Sequence, residues 1–185
     1  CGGADIIFDE EILQLPARID RTIENDGVLR RQNQRRRFGF SATSKVFMDN
    51  CAILTTYVDS AKIVHNDISD TGDAGVVIHQ GSHGNIVRGG VLVRNGDAGV
   101  IVQDSDRIEI DGVLAHRQSD GGVVLSNSSG SSVKNSDLGY NPSGVDASNT
   151  NGLIVDGNDV SHSLQAGIAL GNGIGMRITN NVANL

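Results

Sequence analysis

DAGVVI, residues 73–78, returns as DAGVIV at 97–102, and weaker versions follow as GGVVL at 121–125, SGVDA at 143–147 and AGIAL at 166–170. Their glycines, Gly75, Gly99, Gly122, Gly144 and Gly167, stand 24, 23, 22 and 23 residues apart. A fixed period of this length marks stacked repeats, in which each unit hides its apolar side only against the next.

Within one period, AKIVHNDISDTGDAGVVIHQGS at 61–82, Ile63 and Ile68 flank a polar turn at His65 to Asp67, and a loop leads to the strand Val76 to Ile78. The same five-residue interval reads as Ile86 to Val91, Ile108 to Val113, Val133 to Leu138 and Val155 to Val160, with Met48 to Ile53 ahead of them. Strands so short, rich in β-branched residues and separated by Asn, Gly, Asp and Ser turns, pair with their equivalents one period on rather than as hairpins. The expectation is an all-β chain wound as a single-stranded parallel β-helix, with about six coils of 22–24 residues sharing one register.

In that winding Val76, Val100, Val123, Val145 and Ile168 form one inward ladder, and Ile78, Val102, Leu125, Ala147 and Leu170 a second. Alternation sends Val77, Ile101, Val124, Asp146 and Ala169 outward, with His79, Gln103, Ser126, Ser148 and Gly171 beside them. The repeated glycines are read as sharp turns of unusual φ. Asn66, Gly89, Gly112, Asn135, Asn158 and Asn181 are read as left-handed turn residues with side-chain bonds to the backbone.

Composition agrees: aromatics are 3% with no Trp, Gly is 24 of 185, and only two Pro occur, so the interior is filled by thin aliphatic layers. The net charge of −7 is unevenly spread. Residues 1–45 carry eight basic and seven acidic side chains, and residues 46–185 carry seven and fifteen. An acidic body argues against a nucleic-acid binder, which needs a basic surface, and no apolar run reaches the ~20 residues of a membrane span.

Residues 1–45 fall outside the repeat and read as an N-terminal cap and incomplete first coil. ADIIFD at 4–9 is a strand, EEILQLPARIDRTI a short amphipathic segment, and Arg30, Arg31, Arg35, Arg36 and Arg37 a charged, edge-protecting or anion-gripping cluster. Residues 46–185 are the repeats; their last coil, RITNNVANL, shows no cap, so it is a candidate surface for a partner or further chain. Cys51 reads as a small buried hydrophobe, with a bridge to Cys1 left open, and Cys1 followed by two glycines is compatible with a lipidated N-terminus.

The order of strand, Asn-turn, strand, loop and Gly-strand in AKIVHNDISDTGDAGVVI and GLIVDGNDVSHSLQAGIAL resembles the right-handed parallel β-helix superfamily, the pectin-lyase-like fold, across residues 46–185. SGVDASN at 143–149 resembles the Gly-Ile-Asp-Pro-His-Asp type motif of mannuronan C5-epimerases and related lyases in Gly144, Val145 and Asp146. Ala147, Ser148 and Asn149 stand where that motif has Pro, His and Asp. The resemblance implies a secreted or cell-envelope protein acting on or binding an acidic polysaccharide by proton abstraction next to a uronate carboxylate. Such chemistry needs a base, an acid and a group that neutralises the carboxylate. The candidates are Tyr140 and His162 as base or acid with His116 nearby, Arg117 as carboxylate clamp, and Asp146 as orienting group.

His79, Gln103, Arg94 and Ser148 are candidate substrate contacts, and Asp73, Asp97 and Asp120 form an acidic row able in principle to take Ca²⁺; no other cofactor is called for. His79 and His83 have no third soft ligand for Zn. The alternative is a non-catalytic surface, adhesion or assembly module, since the outward neighbours Val77, Ile101 and Val124 are apolar and suit self-association.

Overall fold

A computed structural model describes residues 51–185 and, before them, the backbone of two short strands, Gly27–Arg30 and Gly39–Phe40. Those two strands pair with Ile53–Thr56 and Lys62–Val64 and so extend the repeat upstream. The remaining N-terminal expectations, including the cap, Cys1, Met48 and most of the arginine cluster, lie outside the described residues.

The earlier full coils contribute three short strands, as in Lys62–Val64, Asp67–Ser69 and Val76–His79, followed by Ile86–Arg88, Val91–Val93 and Val100–Gln103; the later coils keep two and reduce the third to a single bridge. Every pairing is parallel and runs one coil on, giving a glycine-strand sheet of seven strands, a second sheet of seven and a third of three. Single bridges from Leu114 to Asp137, Asp159 and Val182 continue the third sheet to the last coil. Strand spacing of ~4.8 Å sets the rise per coil.

The core is the set of inward ladders. Val76, Val100, Val123 and Val145 are in register and wholly buried, as are Ile78, Val102, Leu125 and Ala147 in the next column. Both ladders loosen at the last coil, where Ile168 is half-buried and Leu170 is 38% exposed. Burying a Val or Leu side chain contributes about 1.5–3 kcal/mol, so stacking supplies the cohesion that isolated three-residue strands lack.

The five-residue interval around the first turn needs correcting in three places. The second-sheet ladder is Ile63, Val87, Ile110, Val133, Val155 and Ile178, and the third-sheet ladder begins Ile68, Leu92, Ala115. Ile86 and Val91 therefore face outward, because a one-residue slip in a strand exchanges its two faces. Ile108 and Val113 are buried but lie at the corners before those strands, and Ile53 belongs to the glycine-strand sheet.

The repeated glycines also have a different reason from the expected one. None of the five has a positive φ. A Cβ at Gly75, Gly99 or Gly122 would lie 2.9, 2.7 and 2.7 Å from the carbonyl oxygen of the next coil's glycine, and against Leu92, Ala115 and Leu138 from the third sheet. They are glycines because third-sheet side chains pack onto bare backbone there.

Left-handed backbone instead marks the corners. Between the second and third sheets His65, Gly89, Gly112, Asn135, Gly157 and Asn180 take positive φ. Asn158 and Asn181 follow that position rather than occupy it, and turn inward. Asn158 donates to the Val133 carbonyl, its Oδ1 accepts from the Ser136 amide, and Asn181 repeats the pattern one coil on. Buried amides thus satisfy backbone groups that no strand pairs.

Candidate functional site

The corner between the third sheet and the glycine strands also turns through one left-handed residue per coil, here Asp70, Arg94, Arg117, Tyr140 and His162. Backbone bonds from Arg94 to His116, from Arg117 to Tyr140 and from Tyr140 to Ser161 place them on successive coils. Below them runs a second buried polar ladder: Thr71 on Asn95, Asn95 on Gln118 and Gln118 on Asn141, each through a backbone amide donating to the next side-chain oxygen. The inward residue fixes the corner and the preceding residue is turned out of it.

The rings on this corner touch. Tyr140 and His162 stack with centroids 4.7 Å apart and planes 25° from parallel, and His116 meets the other side of Tyr140 edge-on at 5.4 Å. His116 projects from the third-sheet strand Leu114–His116, and its Nε2 lies 2.6 Å from Asp137 Oδ1. Asp159 takes the position one coil beyond Asp137. Hydrogen bonds from Ser161, helped by His162 and His116, hold the Asp159 carboxyl below the usual carboxylate range.

The two arginines of the corner differ. Arg94 is clasped by both oxygens of Asp70, at 2.6 and 2.7 Å, and is thereby neutralised. Arg117 forms no ion pair among the described residues and is exposed beside the ring column.

Asp146 belongs to a different row. It points outward from the strand Ser143–Ser148 between Val124 and Ala169, half-buried. Burial, with the Asp120 carboxylate nearby, pushes its carboxyl above the usual range. Asp97 is raised in the same way, by burial and then by Asp120 and Asp73. The Asp120 amide donates to the Asp97 carbonyl, confirming that Asp97 and Asp120 sit one coil apart.

Of the sequence-derived catalytic candidates, the structure gathers His116, Arg117, Tyr140 and His162 on one corner. The carboxylate that orients His116 is Asp137, whereas Asp146 faces the acidic row across the turn. Asp137 and Asp159 escaped the sequence reading, although each stands three residues before a ring of the column, Tyr140 or His162. His79, Gln103 and Ser148 share one outward column of the glycine-strand sheet, while Arg94 lies on the other side of the turn. Asn149, at the place of the motif's second Asp, is a left-handed corner residue bonded to Asn127.

Among the described residues no three His, Cys, Asp or Glu side chains are grouped to hold a metal ion. Asp73, Asp97 and Asp120 follow one another along the axis instead of converging, so the row lacks the shared centre a cation needs. No helix among the described residues is long and apolar enough to cross a membrane.

The family described as right handed beta helix region matches residues 90–184, more than half of the chain. No curated protein matches the sequence. Among solved structures, the periplasmic alginate epimerase AlgG is similar at a TM-score of 0.64 and 18% identity, over 72% of this chain and 36% of that one. The A-module of the Azotobacter vinelandii mannuronan C-5 epimerase AlgE4 is similar at 0.57 and 12%, over 86% and 56%. The AlgE6 A-module of the same organism is similar at 0.55 and 16%, over 86% and 55%. The chain thus spans between about a third and just over half of these neighbours' lengths. It belongs to the right-handed β-helix family.

Proposed function

We propose that this right-handed β-helix protein binds an acidic polysaccharide along the third-sheet corner and carries there the groups for proton abstraction beside a uronate carboxylate. The observation that carries the reading is the column of touching rings, His116, Tyr140 and His162, with Arg117 at its side. Stacked one coil apart, the rings turn their edges and polar atoms outward as a row of hydrogen-bonding groups, which aligns a bound chain's hydroxyls with the solenoid axis.

Arg117 neutralises the uronate carboxylate, which lowers the cost of the carbanion-like state at the neighbouring carbon. Tyr140 and His116 serve as the proton acceptor and donor, with Asp137 holding the His116 ring in place. His162 completes the platform. Asp146 keeps a distance from this step and acts on the charge of the adjoining face. The epimerase neighbours support a polysaccharide as substrate class and, through the periplasmic one, a place of action outside the cytoplasm.

The test follows uronate products by absorbance and C5 deuterium incorporation by NMR, with polyuronates as substrates. Activity that falls by two or more orders of magnitude in Tyr140→Phe and His116→Ala supports the reading. Binding without turnover by any variant, wild type included, moves it to a non-catalytic glycan-binding module. Absence of both binding and turnover removes it. A second reading, an assembly module, rests on the half-buried apolar row Val77, Ile101 and Val124.

A further inference from the structure

We infer, building on the polysaccharide reading, that the corner selects a sparsely charged polymer, one with a single carboxylate for every two or more sugars, over a homopolymer of uronates. The cations available along the column and the anions around it set this preference.

One permanent cation is available. Arg117 has no ion-pair partner among the described residues. The preceding coil's Arg94, which would meet the next carboxylate of a fully charged chain, is spent in a bidentate pair with Asp70. The following coils offer Tyr140 and His162 at the same position, and these stack on each other. A chain lying along the axis, with a pyranose about as long as the coil rise of ~4.8 Å, therefore meets one clamp and then rings that carry no permanent charge.

The flanks are anionic on both sides. Asp137 and Asp159 line the third-sheet side, and Asp159 is held firmly ionised. Across the short turn run Asp73, Asp97, Asp120 and Asp146, where burial first, and then the neighbouring carboxylates, push Asp97 and Asp146 above the usual range. Asp73, Asp97 and Asp120 each stand three residues after a corner residue, Asp70, Arg94 or Arg117, so each additional carboxylate on the polymer without its own cation meets this acidic edge and is repelled. A neutral sugar between uronates avoids that repulsion and keeps its hydroxyls for the outward edges of the ring column.

The experiment measures affinity of the full chain by calorimetry for three probes of equal length: hyaluronan oligosaccharide, with alternate uronates; mannuronan oligosaccharide, with a uronate at every sugar; and neutral chitin oligosaccharide. The expected result is tightest binding of hyaluronan, lowered about tenfold by Arg117→Ala through loss of one charge-assisted contact and partly restored by Arg117→Lys. Asp70→Asn, which suits the left-handed position and releases Arg94, is expected to raise mannuronan affinity several-fold while leaving the fold intact by circular dichroism. Mannuronan binding as tightly as hyaluronan overturns the charge-spacing inference and leaves the polysaccharide reading standing. Chitin binding as well as hyaluronan, with Arg117→Ala silent, overturns the clamp. Binding of none by a folded protein removes the polysaccharide reading, and this inference with it.

Discussion

Two corners of each coil face the same backbone problem and fill it differently. Between the second and third sheets, the left-handed position holds Gly or Asn in five of six coils, His65 being the exception. Between the third sheet and the glycine strands, the five coils use Asp70, Arg94, Arg117, Tyr140 and His162, with neither Gly nor Asn among them. Left-handed backbone costs most L-residues roughly 1–2 kcal/mol each, a cost that Gly avoids and Asn reduces. The first corner is built for stability. The second retains strain in exchange for exposed charges and rings, a pattern that gathers at functional sites.

The largest effect is expected at the first corner. Gly90 has φ +92° and abuts the Asn66 backbone of the adjacent coil, so Gly90→Ala adds strain and a clash with atoms that have no freedom to move. The expected loss is about 3 kcal/mol or more, and thermal unfolding should fall by about 6–12 °C. A neutral result would mean that the coils slide apart freely and that the corner is not a fixed point.

Asn158→Ala comes next. It strips the Ser136 amide and the Val133 carbonyl of their buried partner, with an expected loss of about 2 kcal/mol in denaturant titration. Arg117→Asn at the second corner should have the opposite sign on stability. Relief of left-handed strain should raise stability by up to about 1 kcal/mol while polysaccharide affinity falls. If Arg117→Asn destabilises the protein, the contrast between the corners is structural and not functional.

The smallest effect concerns the acidic row. Asp97 has a folded pKa raised above its unfolded value, so its favourable contribution is complete below the unfolded pKa and is lost as pH rises through the folded one. At neutral pH the charged group is a net cost. Asp97→Asn should therefore raise the melting temperature slightly at pH 7, by about 1–2 °C once solvent screening at this half-buried site is allowed for, and leave it unchanged near pH 3. An equal rise at both pH values would assign the effect to something other than carboxylate repulsion.

How far the sequence could be read depended on the kind of position. The glycine-strand ladders were legible because Val76, Val100, Val123 and Val145 repeat within a conserved spacing of one coil and alternate with outward residues. The second-sheet register was not, since IVR at 86–88 and VLV at 91–93 are apolar at consecutive positions, and a run without alternation does not say which face is inside. The ring candidates were picked out as chemistry-bearing residues near Asp146. The partner of His116, Asp137, was hidden because it lies 21 residues away in the chain and meets the ring only when the coils stack.

The sequence by itself determined the winding: a period of 22–24 residues, short β-rich segments and a shortage of aromatics leave few ways to bury apolar surface other than stacking coil on coil. Tertiary structure alone decided which side chains meet. Contacts along a solenoid run between coils, and the one-residue variations in coil length shift each lateral neighbour. That is why Asp137 rather than Asp146 holds His116, why Asp70 silences Arg94 and leaves Arg117 available, and why the repeated glycines serve close packing instead of a turn.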